Sequence, residues 1–122
     1  MSTQREKNRL GRFGEEIAAR HLGEDGMTVL DRNWRCRHGE LDLIAREKRG
    51  TVVFCEVKTR RTERQGTPFE AVDEAKARRI RRLAAEWLKE HPGSGERLRF
   101  DVIGVVVPAD GPVQLRHRRE VL

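Results

Sequence analysis

Apolar residues recur at helical spacing from Leu10 through Phe13, Ile17 and Ala18 to Leu22, and Gly26 supplies a stop. This pattern predicts a first helix ending near Gly23. The preceding residues, 1 to 8, are polar and read as a flexible tail. Three runs rich in Val, Leu, Ile and Phe follow, Met27–Trp34, Glu40–Arg46 and Thr51–Lys58, each predicted as a strand and separated by polar or glycine-bearing turns. A second helix is announced at Thr67, where Thr-Pro-Phe-Glu combines a capping hydroxyl, a proline at the first helical position and a Glu three residues on. Its apolar stripe is Val72, Ala75, Ile80, Leu83, Ala84, Trp87 and Leu88, while Lys76, Arg78, Arg79, Arg81 and Arg82 fill much of the other side. His91-Pro-Gly-Ser-Gly breaks the helix. Leu98–Val107 then reads as a fourth strand, and Pro108-Ala-Asp-Gly-Pro112 as a turn into a last strand from Val113 to about Arg119. The order α, β, β, β, α, β, β predicts one α/β domain, a mixed central sheet flanked by helices.

The same patterning places chemistry. Residues two apart on a strand share a face, so Glu56 and Lys58 point the same way. If strands two and three are joined by the three-residue loop Lys48-Arg49-Gly50, with Gly in the left-handed position, Ile44 pairs with Phe54, Leu43 with Cys55 and Leu41 with Val57. That register sets Asp42 opposite Glu56. Two carboxylates so placed lie roughly 5 Å apart, which destabilises the pair unless positive charge sits between them. Two kinds of partner meet that need: basic side chains in a solvated ion pair, or a hard divalent cation such as Mg2+, which takes oxygen ligands and keeps several waters. Both acids lie in strands that are apolar on both faces, where an unpaired carboxylate is costly. With a cation bound, Lys58 would stand beside it, able to stabilise charge on a phosphoryl group. Glu15, near one margin of the first helix's stripe, is a third acidic candidate, with Glu16 as its alternative.

Charge and composition narrow the partners. The 122 residues carry 26 basic and 20 acidic groups, a formal +6, and 21 of the basic residues are Arg. Arg grips phosphate through a planar fork, so the bias favours a phosphate-bearing partner; a codon-usage bias would leave the same mark. Arg60, Arg61 and the basic face of the second helix, Lys76, Arg78, Arg79 and Arg82 among them, are the candidate backbone contacts. The absence of Tyr argues against a single-strand binder that stacks bases on aromatic platforms. The longest apolar run, Val102–Val107, is too short to span a bilayer, and the first sixteen residues hold no apolar stretch resembling a signal sequence, so a cytoplasmic location without membrane contact is expected. Cys36 and Cys55 form no Cys-x-x-Cys pair, and Cys36-Arg-His38 lacks the further ligands of a zinc site.

Gly11-Arg-Phe-Gly-Glu-Glu-Ile-Ala-Ala-Arg, Asn33-Trp-Arg-Cys-Arg-His-Gly-Glu-Leu-Asp-Leu-Ile-Ala, Val53-Phe-Cys-Glu-Val-Lys-Thr-Arg and Phe100-Asp-Val-Ile-Gly-Val together resemble the YraN family of small bacterial proteins. Those proteins are held to be endonucleases distantly similar to archaeal Holliday junction resolvases and to the PD-(D/E)xK nuclease superfamily. The resemblance spans nearly the whole chain. It implies a restriction-endonuclease-like α-β-β-β-α-β core followed by a C-terminal strand, with Asp42 and Glu56 on Mg2+ or Mn2+, Lys58 as the catalytic lysine and Glu15 as the helix-borne acid. Leu41 stands where the superfamily motif has proline, a position that is not a ligand. The implied activity is hydrolysis of DNA phosphodiesters, on branched or damaged DNA, and related resolvases suggest a homodimer. A binding module that keeps the nuclease fold without cutting, and a scaffold for protein partners, are the rival readings.

Overall fold

The computed structural model describes residues 3–64 and 66–121. Helix α1 (Gln4–Glu24) leads into three antiparallel strands, β1 (Thr28–Cys36), β2 (Gly39–Arg46) and β3 (Val52–Arg60). A 3-10 turn (Pro68–Ala71) and helix α2 (Glu74–Glu90) cross back to β4 (Leu98–Val106), and β5 (Gln114–Arg118) completes the chain. The five strands lie in the order β1-β2-β3-β4-β5, with β3 and β4 parallel and the other neighbours antiparallel. This is the mixed α/β sheet with flanking helices that the patterning predicts.

Two cores sandwich the sheet. Leu43, Ala45, Val53, Cys55, Val57, Ile103 and Val105 pack beneath Ala18, Ala19 and Leu22 of α1. Ile44, Val52 and Phe54, from alternate positions, meet Ile80, Leu83, Ala84 and Trp87 of α2 on the opposite face. Among the described residues no helix is long and apolar enough to cross a membrane.

The helices begin elsewhere than expected. α1 starts at Gln4, capped by the Thr3 hydroxyl, which accepts the Glu6 N–H at 3.1 Å. Residues 4 to 8 are therefore helical rather than a loose tail; residues 1 and 2 lie outside those described. Leu10 marks where the helix reaches the core, not where it starts. At Thr67 the expected cap makes no side-chain hydrogen bond, and the turn it opens stops at Ala71. α2 starts instead behind Asp73, whose carboxylate accepts the Lys76 N–H at 2.8 Å. A carboxylate is the better acceptor for orphan N–H groups at a positive helix end. Val72 thus falls outside α2 and Ala75 is exposed, while Ala77 joins the buried stripe.

The hairpin register holds where it was expected. Leu43 pairs with Cys55, Ile44 with Phe54 and Ala45 with Val53, and the loop closes with Gly50 at φ 97°. The ladder ends at Leu43, however. Beyond it the Val57 N–H donates to the Asp42 carboxylate at 2.8 Å, so the expected Leu41–Val57 pair gives way to a side chain that caps the strand. Leu41 and Leu43, two apart, then pack on opposite faces, which a regular strand forbids. The site begins at this irregularity.

Candidate active site in the gap between two strands

Asp42 occupies the gap where β2 leaves β3. Burial, and then the charge of Glu56, push its carboxyl from the usual 3.8 up to about 8, although the Val57 N–H pulls the other way. Glu56 stands close enough for its charge to raise the Asp42 carboxyl, although the backbone ladder itself has ended at Leu43. Glu15 adds to the repulsion from α1.

Glu15 arrives there through close helix–sheet packing. Gly14 lies against Thr59 of β3, so near that a Cβ would meet the Thr59 Oγ1 at 1.8 Å. The adjacent Glu15 is thereby brought over the strand gap, where carboxylate oxygens of Glu15, Glu40 and Asp42 lie within 4.8 Å of one another. Glu16 points elsewhere and pairs with Arg32 at 2.8 Å on the surface. Asn33 braces the trio, donating from Nδ2 to Glu15 at 3.0 Å and to Glu40 at 3.2 Å. It adopts a left-handed φ of 49°, a conformation that asparagine tolerates better than most residues. Glu40 also receives Arg35 Nε at 2.9 Å.

Glu40 and Asn33 escaped the sequence reading. Glu40 was legible in principle, since it lies two residues before Asp42 on the same strand. Asn33 was not, because its role depends on a β1–β2 register interrupted between Val29 and Asp31.

Glu56 turns toward α2 and forms an ion pair with Lys76 at 2.7 Å. Lys76 therefore belongs to the site's interior rather than to an exposed basic surface. Arg78, Arg79 and Arg82 are exposed on α2, across the sheet from α1, and line neither hollow beside Glu15.

Those two hollows adjoin, sharing Lys7, Gly11 and Glu15. The larger, about 820 Å³, is lined by Lys58, Arg60, Arg61 and Arg64 as well; the smaller, about 490 Å³, by Arg12, Arg35, Asn33 and Glu40. Together they form an open groove lined by the Glu15 and Glu40 carboxylates and by several cations. Backbone carbonyls orient two of the walls' guanidinium groups: Arg60 donates to Gly66 at 3.1 Å and Arg61 to Val107 at 3.2 Å. Lys7 comes from the start of α1, whose polar residues carried no helical signal.

Residues 14–105 match the Uncharacterised protein family UPF0102. The chain belongs to this family. It is 56% identical over 115 residues to the UPF0102 protein of Frankia casuarinae, covering 94% of this chain and 97% of that protein. The UPF0102 protein of Frankia alni is 57% identical over 115 residues, 94% and 95% of the two chains. That of Kineococcus radiotolerans is 54% identical over 114 residues, 93% of each. Among solved structures, a protein of unknown function from Silicibacter pomeroyi aligns with a TM-score of 0.42 and 16% identity, over 89% of this chain and 70% of that one. Pyrococcus furiosus SfsA in complex with Ca2+ aligns with a TM-score of 0.36 and 17% identity, over 93% and 64%. Both likenesses are too distant to inform function.

A second polar cluster in this UPF0102 chain, around Asp101, is self-sufficient. The fully buried carboxylate accepts Arg99 through two bonds of 2.9 Å, His117 at 2.7 Å and the Glu120 N–H at 3.1 Å. Despite its burial, His117 and Arg99 hold it below the usual carboxylate range. His117 contacts His21 of α1 at 3.0 Å, so the cluster ties β4, β5 and α1 together. Cys55 lies beside it, a buried thiol whose pKa is pushed up by desolvation and by Asp101, and so an inert one.

Proposed function

We propose that this chain is a divalent-metal-dependent endonuclease that hydrolyses DNA phosphodiesters, acting on branched or damaged DNA. The observation that carries this reading is the convergence of the Glu15, Glu40 and Asp42 carboxylates on one strand gap, with Glu56 close to Asp42, beside a groove that Glu15 lines together with Lys7, Lys58, Arg60 and Arg61. The donor set suits a hard cation: all oxygen, carboxylate in type, with the Asp42 carboxyl raised by burial and then by the charge of its neighbours. Asp42, Glu15 and Glu40, joined by Glu56, would hold Mg2+ or Mn2+. When bound, such an ion polarises a phosphodiester and lowers the pKa of an attacking water. Lys58, on the wall beside Glu15, would stabilise charge on the phosphoryl oxygens. Arg60 and Arg61, pre-aimed by their carbonyl contacts, would fix the backbone.

The test is a panel of linear, nicked, flapped and four-way DNA, with matching RNA, incubated with Mg2+ or Mn2+ beside Asp42→Ala and Lys58→Ala. Metal-dependent cleavage that falls about 100-fold or more in both variants is the expected result. Full cleavage by both variants would end the assignment. One observation favours a second reading, a binding module that grips nucleic acid without cutting: Glu56 is already neutralised by Lys76. Salt-sensitive binding with no product under any metal would establish that alternative.

A further inference from the structure

Lys76 sits in an unfavourable place for a lysine. It is the third residue of α2 behind the Asp73 cap, in the turn where the helix dipole favours acids and disfavours cations. Its side chain is only 23% exposed, and the Glu56 side chain it meets at 2.7 Å only 12%. Ammonium groups withdrawn from water to this degree require a counter-charge. Among the described residues, the only salt bridge of either side chain is this one. Local helix chemistry therefore does not account for Lys76; the carboxylate across from it does.

We propose that Lys76 is the built-in counter-cation of the site, holding Glu56 in the metal-free protein and giving it up when a divalent ion binds. This inference rests on the proposed metal site and adds a competition within it. The ammonium partly offsets the repulsion among Glu15, Asp42 and Glu56 in the strand gap. It also lowers apparent metal affinity, because only the fraction of molecules with Glu56 released offers the full ligand set. The two cations compete for one carboxylate. Lys76 is thus a positioning residue that sets the threshold for metal loading.

The experiment measures Mn2+ binding by calorimetry and by paramagnetic resonance of the free ion, for the wild type, Lys76→Met and Glu56→Gln. Methionine keeps the unbranched bulk and removes the charge. Lys76→Met is expected to bind Mn2+ about tenfold tighter or more, and to gain more in melting temperature from Mn2+ than the wild type does. Glu56→Gln is expected to bind about tenfold more weakly. A second measurement needs no variant: acylation of the Lys76 amine in the wild type, read by mass spectrometry, should speed up at saturating Mg2+ as the ammonium leaves Glu56. Equal Mn2+ affinity in wild type and Lys76→Met, with Glu56→Gln weakened, would overturn the competition and leave the metal site standing. If Lys76→Met fails to fold, unchanged acylation of the wild type at saturating Mg2+ overturns it instead. No Mn2+ binding by the wild type or Lys76→Met would remove the site and the inference together.

Discussion

Replacing Asp42 by Asn should stabilise the protein while removing the proposed activity. The folded carboxyl is raised from 3.8 to about 8 by burial first and by Glu56 second. An acid with a raised pKa binds its proton more tightly in the folded chain, so between those two values the unfolded chain holds fewer protons and stability falls as pH rises. Each tenfold change in proton affinity is worth about 1.4 kcal/mol, which sets a ceiling of about 6 kcal/mol above pH 8. Relaxation of two coupled carboxyls reduces this to about 2–4 kcal/mol near neutrality. Asn keeps an oxygen for the Val57 N–H, now 2.8 Å from Asp42, and can turn its amide N–H toward Glu56. A repulsion becomes a hydrogen bond.

Urea unfolding, followed through the fluorescence of Trp34 and Trp87, measures the effect between about pH 5 and about pH 8. With a urea slope of about 1–3 kcal/mol per molar, the Asn variant should unfold about 0.7 M or more later at the alkaline end, the gap closing toward pH 5. Asp101, held below its usual range by His117 and Arg99, acts in the opposite sense. Its stabilisation is lost only as pH falls below about 4, outside this window. His21, lowered by burial and by His117, titrates alike in both proteins and cancels in the comparison. Parallel pH profiles for the two proteins would refute the strain assigned to Asp42.

Two further outcomes follow from the geometry of the groove. Gly14→Ala places a methyl 1.8 Å from the Thr59 Oγ1, and the stiff β-branched side chain cannot swing clear, so α1 must lift. A loss of about 1–3 kcal/mol, seen as a fall of about 5–10 °C in calorimetric melting, is expected, and an unchanged transition would contradict the packing described. Changing Arg60 and Arg61 together to Ala should reduce the salt dependence of DNA binding by about two counterions, whereas changing Arg78 and Arg82, across the sheet, should leave it unaltered. Equal effects of the two pairs would move the binding surface to α2.

How far the site was legible differs from residue to residue. The expectation that Asp42 and Glu56 approach each other came from alternation and one short glycine-closed loop, both local properties, although the backbone ladder stops one residue short of Asp42. Glu40 lay within the same reach, two places from Asp42, and went unread. The start of α2 was expected at Thr67, because the capping signal six residues on, Asp73, went unread. Where the long helix opens is settled by where Ile80, Leu83, Ala84 and Trp87 can bury themselves on the sheet.

Element order, hairpin register and the pairing of two acids were written in nearest-neighbour terms: side-chain period, turn chemistry and the run of apolar residues. These act over a few residues and need no partner from elsewhere in the chain. The remaining features came from contacts between distant segments, and a linear pattern does not specify the rotation of one element over another. Gly14 seating α1 on Thr59, Asn33 bracing Glu15 and Glu40, and Lys76 turning inward to Glu56 all depend on that rotation. In the sequence Lys76 is one of several cations along a basic helix face; withdrawal of its ammonium from water, and the carboxylate it then requires, arise only when α2 lies down on the sheet.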